Sequence, residues 1–557
     1  MDGFNVLMIL LFSAIALYAV TRRRQFPLGD KTLDVLNQKQ FEWVFVVGVV
    51  LFGAFLRLYL LGTLPAGFNQ DEASIGYDSW AIANYGMDRN GDILPVYPIA
   101  WGAGHGPLYT YTAAVFIKLF GLTPFVYRLP NALMGVASLP IFYLLLKRVW
   151  GRVAGYVGLA FLALTPWHIM LSRWGLDSNP LPFMLLLGAY WLVLAADTYK
   201  TRWYLLAAAA LSLSMYAYGS ALVVVPVMLL LLLPYLLLHR RLNWKQLLLS
   251  GLTFALLALP LGLFYIINYF DLPEISTSFF TIPRLTVIRS ESVFLKFDHT
   301  FWSNVLQNIQ SLIRVLTTGS PDLIWNVAPD FYTVYVFTFP LMFIGMIRSF
   351  RRAVNFREFS RETVMCAWFL GAVLLALLIK QNINRLSVLF IPQVYFITLG
   401  LVYLVQHFRQ AFALASAAVI GAAAMFCTYY FTVYKDDISA SFMEGFGEAV
   451  QYADSLESET MYVTAKGVNG GYILTLFFAQ TPPQDFLNTV VYYDENAEFR
   501  QAASYGKYVF HLPADAVSPA HQDDVFVVNT AELGQFSAET YDIRLFKNFA
   551  VVQYHGE

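Results

Sequence analysis

Two adjacent carboxylates, Asp71 and Glu72, follow closely after a long apolar segment. Adjacent carboxylates repel each other unless a cation or hydrogen bonds compensate, and their environments can push their pKa values apart. One could then act as a base while its neighbour orients a substrate or a metal. The pair could also bind a divalent cation through its oxygens. A structural interpretation is equally open, in which Asp71 caps a short helix that begins at Glu72 or both lie in a solvated turn.

Three further residues could contribute charge to the same chemistry. His105 stands at the expected start of a short helix, where an imidazolium or the helix N-terminus would suit a phosphate; a histidine hydrogen-bonded to water is the alternative. Arg173 and Asp177 share a short polar loop. They could equally form an exposed ion pair, which would be worth little energetically.

The composition assigns these residues to an integral membrane protein. Of the 557 residues, 58% are hydrophobic and 13% are charged, and the mean hydropathy is +0.55. Soluble domains carry roughly 25% charged residues. The formal net charge of -1 argues against a nucleic-acid binder. The only two cysteines, Cys366 and Cys427, lie in apolar runs, which excludes a disulfide scaffold and a cysteine zinc site.

A helix that crosses a bilayer needs about 20 mostly apolar residues, because lipid offers no partner to the backbone polar groups. About twelve segments qualify, near residues 4–20, 41–61, 131–149, 153–171, 181–196, 203–218, 221–238, 247–267, 331–347, 364–379, 386–405 and 411–431. The first is followed by Arg22 to Arg24 and is interpreted as an anchor rather than a cleavable signal. Arg57 falls inside the second, where it could snorkel towards the membrane surface.

The distribution of Lys and Arg predicts the orientation of these spans. The basic loops lie near residues 22–39, 147–152, 200–202, 240–245, 348–361 and 409. Cytoplasmic loops carry such an excess, and all six share one side if the segment 107–120 lies along the opposite interface instead of crossing. Loops 62–127 and 271–330 and the tail 432–557 then face outward. The carboxylates at 71 and 72 therefore lie at the outer surface of a plasma membrane.

Two cations, Lys380 and Arg385, fall on this outer side, against the usual trend. An anionic lipid headgroup is one reason to place them there, and snorkelling is another.

The chain therefore divides into three parts. Residues 1–40 form the anchor and a cytoplasmic linker, and residues 41–431 form the membrane domain. In residues 432–557, β-branched and aromatic runs at 461–464, 508–511 and 525–529 alternate with a helical stretch near 471–480, which predicts a small extracytoplasmic α/β domain.

An ordered series of short motifs resembles the GT-C superfamily of membrane glycosyltransferases, and most closely its group of protein O-mannosyltransferases and lipid A aminoarabinose transferases. The motifs are Gln70-Asp-Glu, His105-Gly-Pro-Leu-Tyr, Tyr127-Arg-Leu-Pro-Asn131, Leu145 to Gly151, Ser172-Arg-Trp-Gly-Leu-Asp177 and Asn384 to Pro392. They cover most of the chain, from about Phe41 to Phe431.

The resemblance implies transfer of a sugar from a polyprenyl-phosphate carrier to a protein, lipid or glycan hydroxyl, with inversion. It implies that Asp71 is the general base, that Glu72 supports it, and that Asp177 is a second acidic residue of the site. His105, Arg173, Lys380 and Arg385 would bind the donor phosphate. No cofactor would be required, although a divalent cation is possible at Asp71 and Glu72. Gly106 replaces a proline of the family pattern, which would make this stretch more flexible.

Every motif precedes residue 432, so the C-terminal domain is expected to recognise or position the acceptor rather than to perform chemistry. Two other classes of function remain open from the residues. One is a transporter or flippase, although transporters usually carry such charges near the bilayer midplane. The other is a non-catalytic scaffold for the assembly of a surface polymer.

Overall fold

The computed structural model describes residues 2–21, 35–36, 38–100, 103–285, 294–296, 298–318, 323–355, 357–495, 497 and 500–555. The expected basic residues Arg22 to Arg24 and Lys31 lie outside these ranges. The described part of the chain consists of a helical bundle followed by a domain built on a β-sheet.

A helix occupies each of the twelve predicted apolar segments. The helices of the bundle are α1 Asp2–Thr21, α2 Lys39–Leu58, α3 Gln70–Tyr85, α4 Pro107–Phe120, α5 Pro124–Trp150, α6 Arg152–Leu164, α7 Pro166–Leu171, α8 Leu181–Thr198, α9 Thr201–Ser214, α10 Ala221–Leu238, α11 Trp244–Tyr269, α12 Phe301–Thr318, α13 Phe339–Ala353, α14 Glu362–Leu378, α15 Ile383–His407 and α16 Arg409–Thr432. Seven described helices (α2, α5, α8, α10, α11, α15 and α16) are long and apolar enough to cross a membrane, and shorter apolar helices lie at Asn5–Thr21, Arg152–Leu164 and Glu362–Leu378.

Local chemistry explains where the observed helices depart from the predicted segments. The segment predicted at 153–171 is interrupted at Thr165, and Pro166, which has no N–H to donate, opens α7 at its first position. The segment predicted at 331–347 becomes helical only at Val336, as a short 3-10 turn, before α13 begins at Phe339.

The described basic loops meet at one end of the bundle, as the sequence predicts. Lys147 and Arg152 both pair with Glu42, at the start of α2. Arg148 and Arg361, which are far apart in the chain, share the carboxylate of Asp197 at 2.9 and 2.6 Å. We call this end of the bundle the basic end. The opposite end, where α2 finishes and α3 begins, is called the site end.

A buried arginine, Arg57, joins the ends of two helices near the site end. Arg57 donates to the carbonyls of Leu162 and Ala163 in the last turn of α6, at 3.3 and 3.4 Å, and also contacts His168 Nδ1 at 2.6 Å. Carbonyls at the end of a helix lack an intrahelical partner and carry partial negative charge, so a guanidinium satisfies them well. Arg57 is fully buried, and the expected snorkelling does not occur.

The C-terminal domain is a seven-stranded mixed sheet flanked by short helices. Strands β1 Ile275–Ser276 and β2 Thr281–Ile282 form a separate pair earlier in the chain, and the short helices α17 Tyr434–Ser439 and α18 Phe446–Asp454 precede the sheet. The strands of the sheet are β3 Met461–Val463, β4 Val491–Tyr492, β5 Ala502–Tyr505, β6 Tyr508–Val509, β7 Val525–Asn529, β8 Tyr541–Phe546 and β9 Phe549–Tyr554, in the order β4-β5-β6-β3-β7-β9-β8. The central strand β3 runs parallel to β6 and β7. These three strands and the helix Gly471–Ala479 (α19) match the predicted runs, and the α/β architecture is confirmed.

This domain packs firmly on the helix that begins the site. The ring of Phe477 in α19 lies 4.4 Å from the ring of Phe68, just before α3. The Tyr77 hydroxyl donates to the carbonyl of Thr481 at 2.7 Å. A Cβ on Gly76 would come within 2.6 Å of Phe477, so α3 and α19 pack closely here. One apolar core runs through both parts, which therefore form a continuous body.

Candidate active site

Asp71 lies in the first turn of α3, but it is not the residue that caps the helix. Asn69 is the cap: its side chain accepts the N–H of Asp71 at 2.8 Å, while the Glu72 carboxylate accepts the N–H of Asn69 at 3.5 Å. This reciprocal capping box starts the helix at Gln70. The capping interpretation of Asp71 is therefore wrong, and its half-buried carboxylate lines a cavity.

Glu72 is fully buried and does not line that cavity. Arg128 binds both of its carboxylate oxygens, through Nε at 2.8 Å and Nη2 at 2.6 Å, and the N–H of Gly175 donates to Oε1 at 2.8 Å. Arg128 in turn donates to the carbonyls of Pro65 and Gly67, each at 2.9 Å. Glu72 thus ties together three loops around the site, and we assign it a positioning role rather than a catalytic one.

The cavity, which we call the reaction chamber, has a volume of about 280 Å³ and brings together residues from distant parts of the chain. Polar side chains dominate its wall. It is lined by Gln70, Asp71, Ser74, Ile75, Ala100, Gly104, His105, Leu176, Asp177, Tyr218, Asn384, Asn469, Gly470 and Gln501. Three of the residues singled out from the sequence, at 71, 105 and 177, therefore share one chamber.

Asp177 is buried and fixes the loop that carries His105. Its Oδ2 accepts the N–H of Gly106 at 2.8 Å. A Cβ on Gly106 would come within 2.0 Å of the Ala217 carbonyl oxygen, so this position has no room for a side chain. The glycine that departs from the family pattern therefore supplies an N–H that proline lacks, and it is held in place instead of making the stretch flexible.

His105 is buried, and neither ring nitrogen has a hydrogen-bond partner within the described structure. Its Nε2 lies 3.8 Å from Asp78 Oδ2. Burial lowers the pKa of His105 to about 4, a shift that the nearby Asp78 opposes and Arg89 reinforces. The ring is therefore neutral at pH 7, and the imidazolium considered from the sequence is not present. A neutral ring can still offer one N–H to a ligand.

A second cavity of about 430 Å³, which we call the apolar groove, adjoins the chamber. The two share Gly104, Asp177 and Tyr218 in their walls. Most other groove residues are aliphatic or aromatic: Tyr97, Leu222, Phe264, Tyr265, Leu285, Phe294, Leu375 and Ile379. Arg385 also lines this groove.

Arg385 is held at the first turn of α15. The side chain of Asn382 accepts its N–H at 2.8 Å, and its Nη1 donates to the Lys380 carbonyl at 2.7 Å. Tyr218 lies in the same groove wall. It is the only Lys or Arg among the described residues that line the groove or the chamber.

The other two predicted phosphate ligands stand outside both cavities. The side chain of Lys380 is exposed. Arg173 is fully buried and donates to the carbonyls of Leu56, Tyr59 and Leu64 at 2.8, 2.6 and 3.1 Å, where it satisfies the end of α2. It does not line the chamber or the groove, and we remove it from the predicted phosphate-binding set.

Two important arginines were not assigned roles from the sequence. Arg128 lies within the quoted motif Tyr127–Asn131, which was a usable signal, but nothing in the sequence indicated its partner 56 residues away. Arg89 pairs with Asp78 at 2.7 Å and donates to the Ser74 carbonyl at 2.6 Å. Asp78 lies in α3 and Arg89 in the loop that follows it, and neither belongs to one of the quoted motifs.

Within the described residues, no three His, Cys, Asp or Glu side chains are grouped in a way that could hold a metal ion. Both oxygens of Glu72 are bound by Arg128, so Asp71 and Glu72 do not present a joint pair of oxygen ligands. The residues therefore do not fit the divalent site considered from the sequence.

Comparison with known proteins agrees with this architecture. Residues 104–264 match the sequence family described as dolichyl-phosphate-mannose-protein mannosyltransferase. The structure is similar to crystal structures of ArnT from Cupriavidus metallidurans, bound to undecaprenyl phosphate (TM-score 0.56) and in the apo state (TM-score 0.52). Each comparison covers 92% of this chain and 98% of ArnT at 13% identity. The chain therefore shares the fold of ArnT.

A curated relative by sequence is the putative mannosyltransferase YycA of Bacillus subtilis strain 168. It is 32% identical over 108 residues, which are 19% of this chain and 16% of that protein. The resemblance drawn from the motifs is thus confirmed at the level of the fold and of a mannosyltransferase-like segment that includes His105 and Asp177.

Proposed function

We propose that this chain is an integral membrane glycosyltransferase that moves a sugar from a polyprenyl-phosphate carrier to an acceptor hydroxyl, with inversion. The observation that carries the proposal is the junction of two unlike cavities. The chamber presents Asp71 among polar side chains, and the adjoining apolar groove presents a single described cation, Arg385. A donor made of an isoprenoid tail, a phosphate and a sugar has apolar, anionic and polar parts in the same order.

The groove suits the carrier. Its aliphatic and aromatic residues would bury isoprenoid units, with Tyr97 and Phe264 stacked at 4.5 Å on one wall. The guanidinium of Arg385 would bind the phosphate with charge-assisted hydrogen bonds. The similarity to ArnT, whose crystal structure contains undecaprenyl phosphate, supports this assignment.

In the reaction, Asp71 would accept the proton of the acceptor hydroxyl as its oxygen forms a bond to the anomeric carbon of the sugar. The bond from that carbon to the phosphate oxygen breaks, and the carrier leaves as polyprenyl phosphate. A phosphate departs as a stable anion, so this mechanism needs a base but no general acid. Asp71 lies in the first turn of α3, where the helix N-terminus stabilises negative charge.

The other residues support this step. Arg385 would stabilise the charge that develops on the phosphate, a contribution on the order of the 3–4 kcal/mol known for one well-placed donor in a site shielded from water. Asp177 holds the loop of His105 through the Gly106 N–H and would orient the substrate where the two cavities meet. The neutral ring of His105 would donate a hydrogen bond to the polyprenyl-phosphate sugar.

We further propose that the protein spans the plasma membrane several times, with the site end and the C-terminal domain outside the cytoplasm. The grouping of Lys147, Arg148, Arg152 and Arg361 at the basic end supports this orientation. The acceptor would be a protein, lipid or glycan hydroxyl, and the C-terminal domain would serve recognition rather than chemistry.

The decisive experiment is mass spectrometry of surface glycans and glycoproteins from cells that make the wild-type chain, the Asp71→Asn variant or the exposed control Asp542→Asn. We expect one glycoform to disappear with Asp71→Asn and to persist with Asp542→Asn, and its composition would identify sugar and acceptor together. A glycoform that persists with normally inserted Asp71→Asn protein would remove Asp71 as the base, and purified wild-type protein that transfers no sugar would favour a scaffold or a transporter.

A further inference from the structure

We propose that the reaction chamber selects a sugar without an anionic substituent, and that the C-terminal domain recognises this sugar through Asn469 and Gln501. This inference rests on the proposed function, and it names the substrate class of the same site.

The first argument is the charge of the chamber wall. Among its described lining residues, the acidic side chains are Asp71 and Asp177, and burial lowers the pKa of His105 to about 4, which disfavours a positive charge there. No Lys or Arg is among those lining residues. Arg385 lines the neighbouring groove, where it would meet the phosphate. A sugar carboxylate in the chamber would therefore face two acidic side chains and no Lys or Arg among the described lining residues, which is costly in a partly desolvated site.

The second argument is the set of uncharged polar groups. Four amide side chains line the chamber, from Gln70, Asn384, Asn469 and Gln501. Each amide can both donate and accept, as a sugar hydroxyl can, so an amide-rich wall matches a polyol. The carboxylates beside them would accept further hydroxyl protons.

The third argument is that contacts of the C-terminal domain fix the backbone of the two residues that carry its amides. The N–H of Asn469 contacts Met443 Sδ at 3.3 Å, and the carbonyl of Gln501 accepts the N–H of Tyr493 at 3.0 Å. Gly470, which separates Asn469 from α19, has a φ of +69°. A Cβ there would stand 3.3 Å from the Cβ of Gln70, so the two parts of the protein meet at the chamber wall.

The test is a binding measurement on full-length protein in nanodiscs. The probes are undecaprenyl phosphate, the same carrier loaded with mannose, glucose or galactose, and the carrier loaded with the three matching uronic acids. Each hexose and its uronic acid differ only at C6. We expect at least one hexose-loaded carrier to bind at least about tenfold more tightly than its uronic acid partner.

Variants of the two amides separate sugar recognition from a general effect on folding. Asn469→Ala and Gln501→Ala should each weaken binding of that hexose-loaded carrier by about 2- to 12-fold, the range of one neutral hydrogen bond. Binding of bare undecaprenyl phosphate should not change. The exposed amide variant Asn488→Ala is the matched control and should alter neither.

A positive charge introduced into the chamber should change sugar preference in the opposite direction, in favour of the uronic acids. Asn469→Lys should improve binding of the uronic acid carriers and reduce the preference for the hexose by about tenfold, whereas Asn488→Lys should not. Equal binding of hexose and uronic acid by the wild type, or a loss in the alanine variants that is as large for the bare carrier, would overturn this inference alone. Failure of the wild type to bind bare undecaprenyl phosphate would overturn the proposed function and the inference with it.

Discussion

Arg128 and Glu72 form a fully buried two-point ion pair, with Nε–Oε1 at 2.8 Å and Nη2–Oε2 at 2.6 Å. This pair gives the two adjacent carboxylates of the site different tasks. Glu72 is committed to the scaffold, while Asp71 lines the chamber. Chain neighbours thus acquire unlike environments because one points into a desolvated ion pair and the other lines a polar cavity.

The first prediction concerns the stability of this pair. Arg128→Ala should lower the free energy of unfolding by about 3–5 kcal/mol, because it leaves the Glu72 carboxylate buried without its counter-charge. Thermal unfolding of the purified protein in detergent measures the effect. Lys118→Ala, which removes only an exposed contact to Asn84, is the control and should change little. A similar small effect from both variants would show that the buried pair is not what holds the site loops.

The second prediction concerns the tight approach at Gly106. Gly106→Ala should abolish most sugar transfer. The new Cβ would clash with the Ala217 carbonyl, and the backbone would have to shift, which would displace the N–H of residue 106 that Asp177 accepts. Gly251→Ala, in α11, meets no atom within 4 Å and should transfer sugar normally. Initial rates with a polyprenyl-phosphate sugar compare the two. Normal rates in Gly106→Ala would contradict the prediction. They would mean that sugar transfer does not require the hydrogen bond between the N–H of residue 106 and Asp177.

The third prediction is a pH dependence of stability. Burial, with the nearby charges of Asp78 and Asp92, raises the pKa of Asp88 to about 8 from its ordinary 3.8. The folded state therefore binds this proton more tightly than the unfolded state, and stability falls as pH rises from about 4 to 8. Tm should decrease from pH 5 to pH 8 in the wild type and decrease less in Asp88→Asn. The exposed variant Asp542→Asn should follow the wild type, and parallel curves for all three would contradict the prediction.

The sequence predicted those parts of the fold that depend on local chemistry. Hydropathy predicted the twelve helical segments, and strand propensity predicted β3, β6 and β7, because both signals lie within short windows. Strands β4 and β5, of two and four residues, are too short to give a pattern. Hairpin β8–β9 was missed, although apolar and polar residues alternate from Tyr541 to Leu545.

The site was predictable only in part, because its partnerships are long-range. The motifs pointed to Asp71, His105, Asp177 and Arg385, which do line the two cavities. Arg173 was predicted to bind the phosphate because the sequence places it in an outer loop. The sequence does not show which way its side chain points. A charge in a sequence does not reveal whether it meets a ligand or the carbonyls at the end of a helix, as Arg173 does.

The fourth prediction concerns orientation. In a chain whose Cys366 and Cys427 have been replaced, a single cysteine at position 515 should react with an impermeant maleimide added to intact cells, and one at position 352 should not. Both native side chains are well exposed, at 68% and 55%, so burial does not decide the outcome. Labelling of 352 and protection of 515 would reverse the proposed orientation and place the site in the cytoplasm.

The fifth prediction is the central one, that Asp71 is the base. Asp71→Asn keeps the size of the side chain but cannot accept the acceptor's proton, so turnover should fall by about 10²–10⁴ while the affinity for the donor stays close to that of the wild type. Arg385→Ala is the comparison variant, and it should instead weaken donor binding, because its charge meets a phosphate that is already ionised in the ground state.

The most direct measurement is therefore single-turnover sugar transfer by correctly inserted Asp71→Asn protein at saturating donor, alongside the donor's Kd. The account predicts a rate lower by at least about 10² with an unchanged Kd. A near-normal rate would contradict it and would move the role of base to Asp177.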